Sequence, residues 1–491
     1  MWTKASLRQL VEKKLRDDLF IVASNREPYI HTFSGREIQC QVPASGLTVA
    51  LDPVMQCCGG TWIAHGSGNA DADVVDKRNK VMVPPQAPQY ALRRVWLTKE
   101  DEDGYYNHFS NEALWPLCHI AYTAPLFEES SWNTYRKVNK LFADNVLDEV
   151  GDRKAVVFVQ DYHLALLPRM IKDGNPSIKV AQFWHIPWPN PEAFRICPWQ
   201  EEILDGLLGN DLLGFHISYH CHNFLDTVDK TIEARVDRDR FEVIRGAKRT
   251  MVRPFPISVD FETISREAQS EKVAAEIERL KGELGISDEL IGLGLDRFDY
   301  TKGIPHRLRA IDRFFTTHSE WKGRMVFVQA GVPSRVHIPA YKKVNEEIES
   351  LVEEVNWKHA ARYWKPVIFI DEHLPQLSLM ALRRMSHFAI VSALHDGMNL
   401  VAKEFVASRF DEDGVLILSP FTGASRELSD AILVNPYATD HFAEAIRRAL
   451  EMPKEERQRR MLKMRKVVSE NNIYKWAADI ISELVKLDIG G

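Results

Sequence analysis

The chain has 491 residues, a formal net charge of −6, 45% hydrophobic and 27% charged residues. That length allows two or three domains with a large core, and the balance is that of an ordinary globular protein. It offers no general field for nucleic acid or an anionic membrane, and no apolar run approaches the length needed to span a bilayer. The six cysteines (Cys40, Cys57, Cys58, Cys118, Cys197 and Cys221) fall in the first half with no Cys-x-x-Cys pair. They define neither a disulfide framework nor a zinc site, and His220-Cys221-His222 is too tight a run to ligate one metal. A cytoplasmic protein is expected.

In chain order, MWTKASLRQLVEKKLRDD is too charged for a signal peptide. It reads as a helix capped by Ser6, with Leu7, Leu10, Val11 and Leu15 on one face. Strands are expected at 18–24, 155–160, 179–186 and 212–217, then at 291–296, 324–331, 367–371, 387–393, 415–419 and 431–436. Several are apolar on both faces, as buried parallel strands are. Between them run amphipathic stretches, such as the stripe Val273, Ile277, Leu280 and Leu284. This alternation predicts parallel sheets covered by helices. Pro254 and Pro256 lack N–H donors, so VRPFPISVD (252–260) reads as a crossing between domains. The fold class expected is α/β: two doubly wound Rossmann-like domains facing across a cleft, with ligands beyond the carboxyl ends of the strands.

The strand ends carry the chemistry. Asp161-Tyr162-His163 follows VFVQ, His185 follows AQFW, and Arg297, Asp299 and Lys302 follow LGLD. Arg335 follows FVQAGVPS, and His395 and Asp396 follow AIVSAL. Loops are commonly polar, but five strand ends of one kind point together to a site. An arginine fork and a lysine point charge suit phosphate oxygens, so Arg297 and Lys302 could neutralise a diphosphate. Gly397 permits a tight turn, and Gly397 to Leu400 open a helix whose free N–H groups suit an anion. Glu404 lies roughly 10–12 Å beyond Asp396 if the intervening chain is helical, a spacing for a sugar and a ribose at two ends of one ligand. Arg26, Tyr106 and Trp115 form a first-half cluster suited to a carbohydrate face, although aromatics are more often core. The acidic stretches 71–73, 101–103 and 237–239 read as surface charge.

The stretches SNR (24–26), SGL (45–47), YYNHFSNEALWP (105–116), QDYHLALLP (160–168), HIPWPNPEAF (185–194), NDLLGF (210–215), DRFDYTKG (296–303), AYKKV (340–344), DGMNLVAKEFVA (396–407) and VNPY (434–437) resemble the trehalose-6-phosphate synthase family. This is family 20 of the retaining glycosyltransferases, with the GT-B fold, and the resemblance runs over nearly the whole chain. It implies an acceptor-binding Rossmann-like domain at 1–256, a nucleotide-sugar-binding one at 257–470, and a helix at 471–491 crossing back to the N-terminal domain. It also implies transfer of glucose from a sugar nucleotide, usually UDP-glucose, to glucose 6-phosphate, giving α,α-trehalose 6-phosphate. The reaction would be a front-face attack without a metal, a cofactor or a carboxylate nucleophile.

The carried-over catalytic set is Arg297, Lys302, His185, Asp161 and Asp396. Gly46, His185, Arg297, Lys302, Asp396, Gly397, Met398, Asn399, Leu400, Val401 and Glu404 would bind the donor. Arg26, Tyr106, Trp115, Asp161 and Arg335 would bind the acceptor. The partners are then small molecules, a sugar nucleotide and a sugar phosphate, with no nucleic acid and no membrane; a homo-oligomer and the donor base stay open. No phosphatase domain is expected after the last helix. Three positions depart from the family: Ser45-Gly46 for a double glycine, His65 for a tryptophan, and His395 for an arginine. They keep open the same donor chemistry with glycerol 3-phosphate or a cyclitol phosphate as acceptor, or a silent sugar-phosphate-sensing homologue.

Overall fold

The computed structural model describes residues 2–15, 18–43 and 46–487, with Gly46 and Leu47 as backbone only. By its internal contacts the chain forms two units, Met1–Ile257 with Ile473–Gly491, and Ser258–Asn472.

The first helix, Lys4–Lys14, starts from Thr3 rather than Ser6. Thr3 Oγ1 accepts from Ser6 N at 3.2 Å, and the Ser6 hydroxyl accepts from Thr3 N at 2.7 Å. Ser6 is thus the distal half of a reciprocal capping box. Leu7, Val11 and Leu15 are buried as the periodicity demands.

In the first unit the largely apolar strand Leu19–Ser24 lies between Thr61–His65 and Ala155–Gln160, parallel to both. Beyond Thr61–His65 come parallel Tyr90–Val95 and then antiparallel Lys80–Val83. Beyond Ala155–Gln160 come Lys179–Phe183, Leu212–Phe215 and Lys248–Pro254, all parallel, then antiparallel Glu242–Arg245 and Arg235–Asp237. Residues 252–254, expected in the domain crossing, thus close a strand. The strands at 61–65 and 90–95 escaped the sequence reading. Tyr90–Val95 contains Arg93 and Arg94, which break its apolar pattern, yet both are buried because carboxylates meet them. Asp71 is one of those carboxylates. It is fully buried, 2.7 Å from Arg94, and Asp101 is also buried, so the surface-charge reading fails for Asp71 and Asp101, while Asp73 and Glu102 are exposed as expected.

The second unit is one parallel sheet in the order Val367–Ile370, Met325–Pro333, Leu290–Phe298, Phe388–Val391, Val415–Leu418, Ile432–Leu433. Phe298, Phe327, Phe388 and Ile417 pack with helix residues Leu308, Ile311, Phe314 and Ile446 into its core. Numbered along the chain, these six strands run 3-2-1-4-5-6, and the seven parallel strands of the first unit run 3-2-1-4-5-6-7. That is the Rossmann order, whose ligand crevice opens where the order reverses, between strands 1 and 4. The helix Ile473–Lys486 belongs to the first unit. It packs on Lys4–Lys14, and Trp476 Nε1 donates to Phe255 O at 3.2 Å.

Candidate active site

In the second unit, strands 1 and 4 are Leu290–Phe298 and Phe388–Val391, and the chain leaving each carries charge. The first carries Arg297 just before its end and leads to a short 3-10 turn, Tyr300–Lys302. Gly303 then takes φ +64 and starts the helix Ile304–Thr317; a Cβ there would meet Ser392 O at 2.2 Å. Ser392 Oγ donates to Lys302 O at 3.1 Å, so the two strand ends are stitched together. Lys302 Nζ lies 2.6 Å from Asp396 Oδ2, both mostly buried. Asn399 Nδ2 donates to the same oxygen at 3.2 Å. Arg307, fully buried, braces the floor through Asp296 at 2.7 Å and Ser392 at 3.0 Å.

The turn after Asp396 differs from expectation. Asn399, not Gly397, has the positive φ, at 93, and the helix spans Leu400–Ser408. Asn399 Oδ1 caps it, accepting from Ala402 N at 3.1 Å, which leaves Leu400 and Val401 at the positive helix end. Gly397 and Met398 are buried, and Met398 O accepts from Ala424 N at 3.0 Å. Glu404 pairs with Arg383. His395 is half-buried beside Asp396. Arg335, at φ 49, donates to the Tyr341 hydroxyl and faces Asp299 Oδ2 at 3.9 Å.

In the first unit, strand 4 ends in Asp161, at φ 70 and ψ 176, a region that only glycine enters readily. Tertiary bonds hold it there. Its N–H donates to Phe183 O at 2.7 Å, and Oδ1 accepts from Tyr162 N at 2.9 Å and His185 N at 3.2 Å. His185 Nε2 donates to Gln160 Oε1 at 2.9 Å. Burial, with the neighbouring His163, pushes the His185 pKa down to about 3, so this imidazole is neutral at physiological pH. Arg26 Nη2 donates to the Tyr106 hydroxyl at 2.8 Å, and the Tyr106 ring stacks on His163 at 5.5 Å. His163 Nδ1 lies 3.8 Å from Asp161 Oδ2. Arg26, Tyr106, His163, Asp161 and His185 therefore form one continuous row. Tyr106 sits in a 12-residue π-helix, Asp103–Leu114, a rare form often found at functional sites. Trp115 is buried, its ring 5.9 Å from Tyr162. Gly46 begins the helix Gly46–Cys58; Ser45 lies outside the described residues. His65 ends strand 2, its Nδ1 3.3 Å from Val95 O.

The sequence reading named Asp299 and His163 at strand ends without giving them a role, and missed Gln160 and Arg383. The last two are visible only through their partners. Among the described residues, no group of three or more His, Cys, Asp or Glu is placed to hold a metal ion, and no helix is long and apolar enough to cross a membrane.

Two Rossmann-like units, each with polar residues massed at its switch point, match the GT-B glycosyltransferase architecture that the family resemblance implies. The solved E. coli trehalose-6-phosphate protein bound with UDP-2-fluoro glucose superposes with a TM-score of 0.85 at 30% identity, covering 96% of this chain and 99% of that one. An α,α-trehalose-phosphate synthase (UDP-forming) of Burkholderia xenovorans, in complex with glucose-6-phosphate, gives 0.84 at 28% identity, covering 95% and 99%. A bifunctional trehalose-6-phosphate synthase/phosphatase of Thermoproteus tenax is 36% identical over 478 residues, 95% of this chain. The chain spans 63% of that relative's length. The profile of Glycosyltransferase family 20 matches residues 18–486, and the chain belongs to that family.

Proposed function

We propose that the chain transfers glucose from UDP-glucose to glucose 6-phosphate, giving α,α-trehalose 6-phosphate and UDP with retention at the donor carbon. The observation that carries this reading is the paired charge at the second unit's switch point, where Lys302, Asp396 and Asn399 meet beside the Leu400 helix start. Arg297, Lys302 and the N–H groups from Gly397 to Val401 take the donor diphosphate, with Asp396 on the sugar hydroxyls and Glu404 on the ribose. Gly46 belongs to the loop over the donor. Arg26, Tyr106, Trp115 and Arg335 take the acceptor, the arginines and Tyr106 its phosphate, and Asp161 its hydroxyls near the reaction centre.

The bond from the donor C1 to the diphosphate oxygen breaks, and one to the acceptor hydroxyl oxygen forms on the same face. The departing phosphate oxygen receives the acceptor proton. The protein's part is positioning and stabilisation of leaving-group charge. His185 acts as a neutral hydrogen-bonding group on the donor sugar. A screen of sugar nucleotides against glucose 6-phosphate, glycerol 3-phosphate and a cyclitol phosphate tests the reading through diphosphate release and product identification. UDP release with glucose 6-phosphate and a trehalose phosphate product is expected. Release only with another acceptor would favour the second reading, which His65 at the end of strand 2 supports. No release with any pair would leave a silent sensor.

A further inference from the structure

Asp299 is fully buried, two residues past Arg297, and its two carboxylate oxygens serve different neighbours. Oδ1 accepts from Thr301 N at 2.9 Å and from Thr301 Oγ1 at 2.8 Å. The Asp299 carbonyl accepts from Lys302 N at 3.0 Å. These bonds close the 3-10 turn that presents Lys302. Oδ2 accepts no hydrogen bond among the described residues and faces Arg335 Nη1 at 3.9 Å. Arg335 is held from its other side by Tyr341, which takes a hydrogen bond from it and lies 5.2 Å beneath it. A buried carboxylate is costly unless opposite charge surrounds it. Burial alone would push this one up, but Lys302, Arg335 and Arg297 hold it below the usual carboxylate range.

The geometry points to Asp299 as a positioning residue that couples two anion subsites, Oδ1 setting Lys302 for the donor diphosphate and Oδ2 setting Arg335 for the acceptor phosphate. The two subsite roles rest on the function proposed above. One carboxylate thereby fixes the two cations, and the turn between Asp299 and Lys302 transmits its position to the Lys302–Asp396 pair.

Two variants separate the halves. In Asp299→Asn the amide oxygen can still accept from Thr301, while its NH₂ meets Arg335 donor to donor. In Thr301→Val the hydroxyl bond to Oδ1 is lost and the Arg335 side is untouched. Affinities for UDP and for glucose 6-phosphate are read separately by calorimetry, with thermal unfolding as the check on folding. Asp299→Asn is expected to weaken glucose 6-phosphate about tenfold, the scale of one charged hydrogen bond, and UDP by no more than about threefold. Thr301→Val is expected to show the reverse order, weakening UDP more than glucose 6-phosphate. Equal weakening of both ligands in both variants would mean general loosening and overturn the proposal, as would unchanged binding in both. Binding does not require turnover, so a native chain that binds both ligands but makes no trehalose phosphate fails the proposed reaction and leaves this test intact. A native chain that binds UDP but no glucose 6-phosphate is read with inorganic phosphate instead. One that binds neither UDP nor any phosphate overturns both.

Discussion

The two switch points share a topology and differ in how they hold charge. In the second unit the charged groups stand in opposite pairs: Lys302 with Asp396, Arg383 with Glu404, Arg307 with Asp296, Arg335 facing Asp299. In the first unit Arg26 meets a phenol, Tyr106 meets an imidazole, and the Asp161 carboxylate is met by backbone N–H groups. Under the proposed function the difference follows from ligand chemistry. A diphosphate needs several cations close together, and these must be held against mutual repulsion before it arrives. Sugar hydroxyls need fixed neutral donors, acceptors and ring faces. The shared strand order supplies the address, and the side chains supply the function.

The comparison is most easily broken in the second unit. Arg297→Ala or Lys302→Ala should each lower kcat by on the order of 100-fold, the cost of removing one preorganised charge from a transition state. UDP release under saturating substrates measures this, and near-normal turnover in both variants would remove the diphosphate assignment. Lys302→Ala also strands Asp396, so its combination with Asp396→Asn should cost less than the sum of the two single losses.

In the first unit the expected effects are smaller and of another kind. Tyr106→Phe removes the hydroxyl that accepts from Arg26 and keeps the ring on His163. The acceptor KM should rise about tenfold with kcat within about twofold, as for loss of one hydrogen bond to a charged group. An equal fall in kcat would place Tyr106 at the reacting atoms instead. Between the units in character is Arg383→Ala, which leaves Glu404 without that partner. UDP affinity should fall about threefold to tenfold, while the glucose 6-phosphate KM stays put; a shift in the latter alone would detach Glu404 from the nucleotide.

Much of this was legible in the sequence because apolar runs ending in charge are a local signal. Asp161, His185, Arg297, Lys302 and Asp396 all stand at or just beyond strand ends, and runs such as 155–160 were read to the residue. The failures have physical reasons. The strand Tyr90–Val95 was hidden because its buried arginines look like surface charge until Glu27, Asp71 and Glu149 are brought to them from distant positions. The turn after Asp396 was credited to Gly397 because glycine is the residue that enters positive φ at low cost. The residue that enters it is Asn399, and Asp161 and Arg335 do the same. Such strain persists only where tertiary bonds over-determine the backbone, and no local pattern announces those bonds. Arg383 shows the same limit, since nothing near residue 383 points to Glu404.

The smallest expected effect sharpens the comparison from underneath. The first unit keeps its ion pairs below the site, in a buried cluster of Glu27, Asp71, Arg94 and His31 directly after Arg26. Glu27 Oε2 accepts from Arg94 Nε at 2.8 Å, and Oε1 accepts from Ser67 N at 2.8 Å. Asp71 lies 2.7 Å from the same guanidinium, with His31 Nδ1 3.4 Å from Asp71. Burial, then a hydrogen bond with Asp71, pushes Glu27 up to about 8 from 4.5, against the pull of Arg94. The folded state therefore binds this proton more tightly than the unfolded chain does. Its contribution is complete below about pH 4.5 and is lost as pH rises through 8. His31 is shifted the other way, down from 6.5 by burial and Arg94, so it adds a loss only on the acid side. Above the range in which unfolding charges His31 and the other buried imidazoles, calorimetric melting of the native chain at pH 7, 7.5 and 8 should give a falling Tm, by a few degrees at most for a chain of this size. Glu27→Gln, which carries no titrating proton, should flatten that fall. An equally steep fall in the variant would place the titrating group elsewhere. If the flattening is seen while the Tyr106→Phe effect on acceptor KM is unchanged at each pH, the cluster acts as a foundation for the Arg26 loop and not as part of its chemistry.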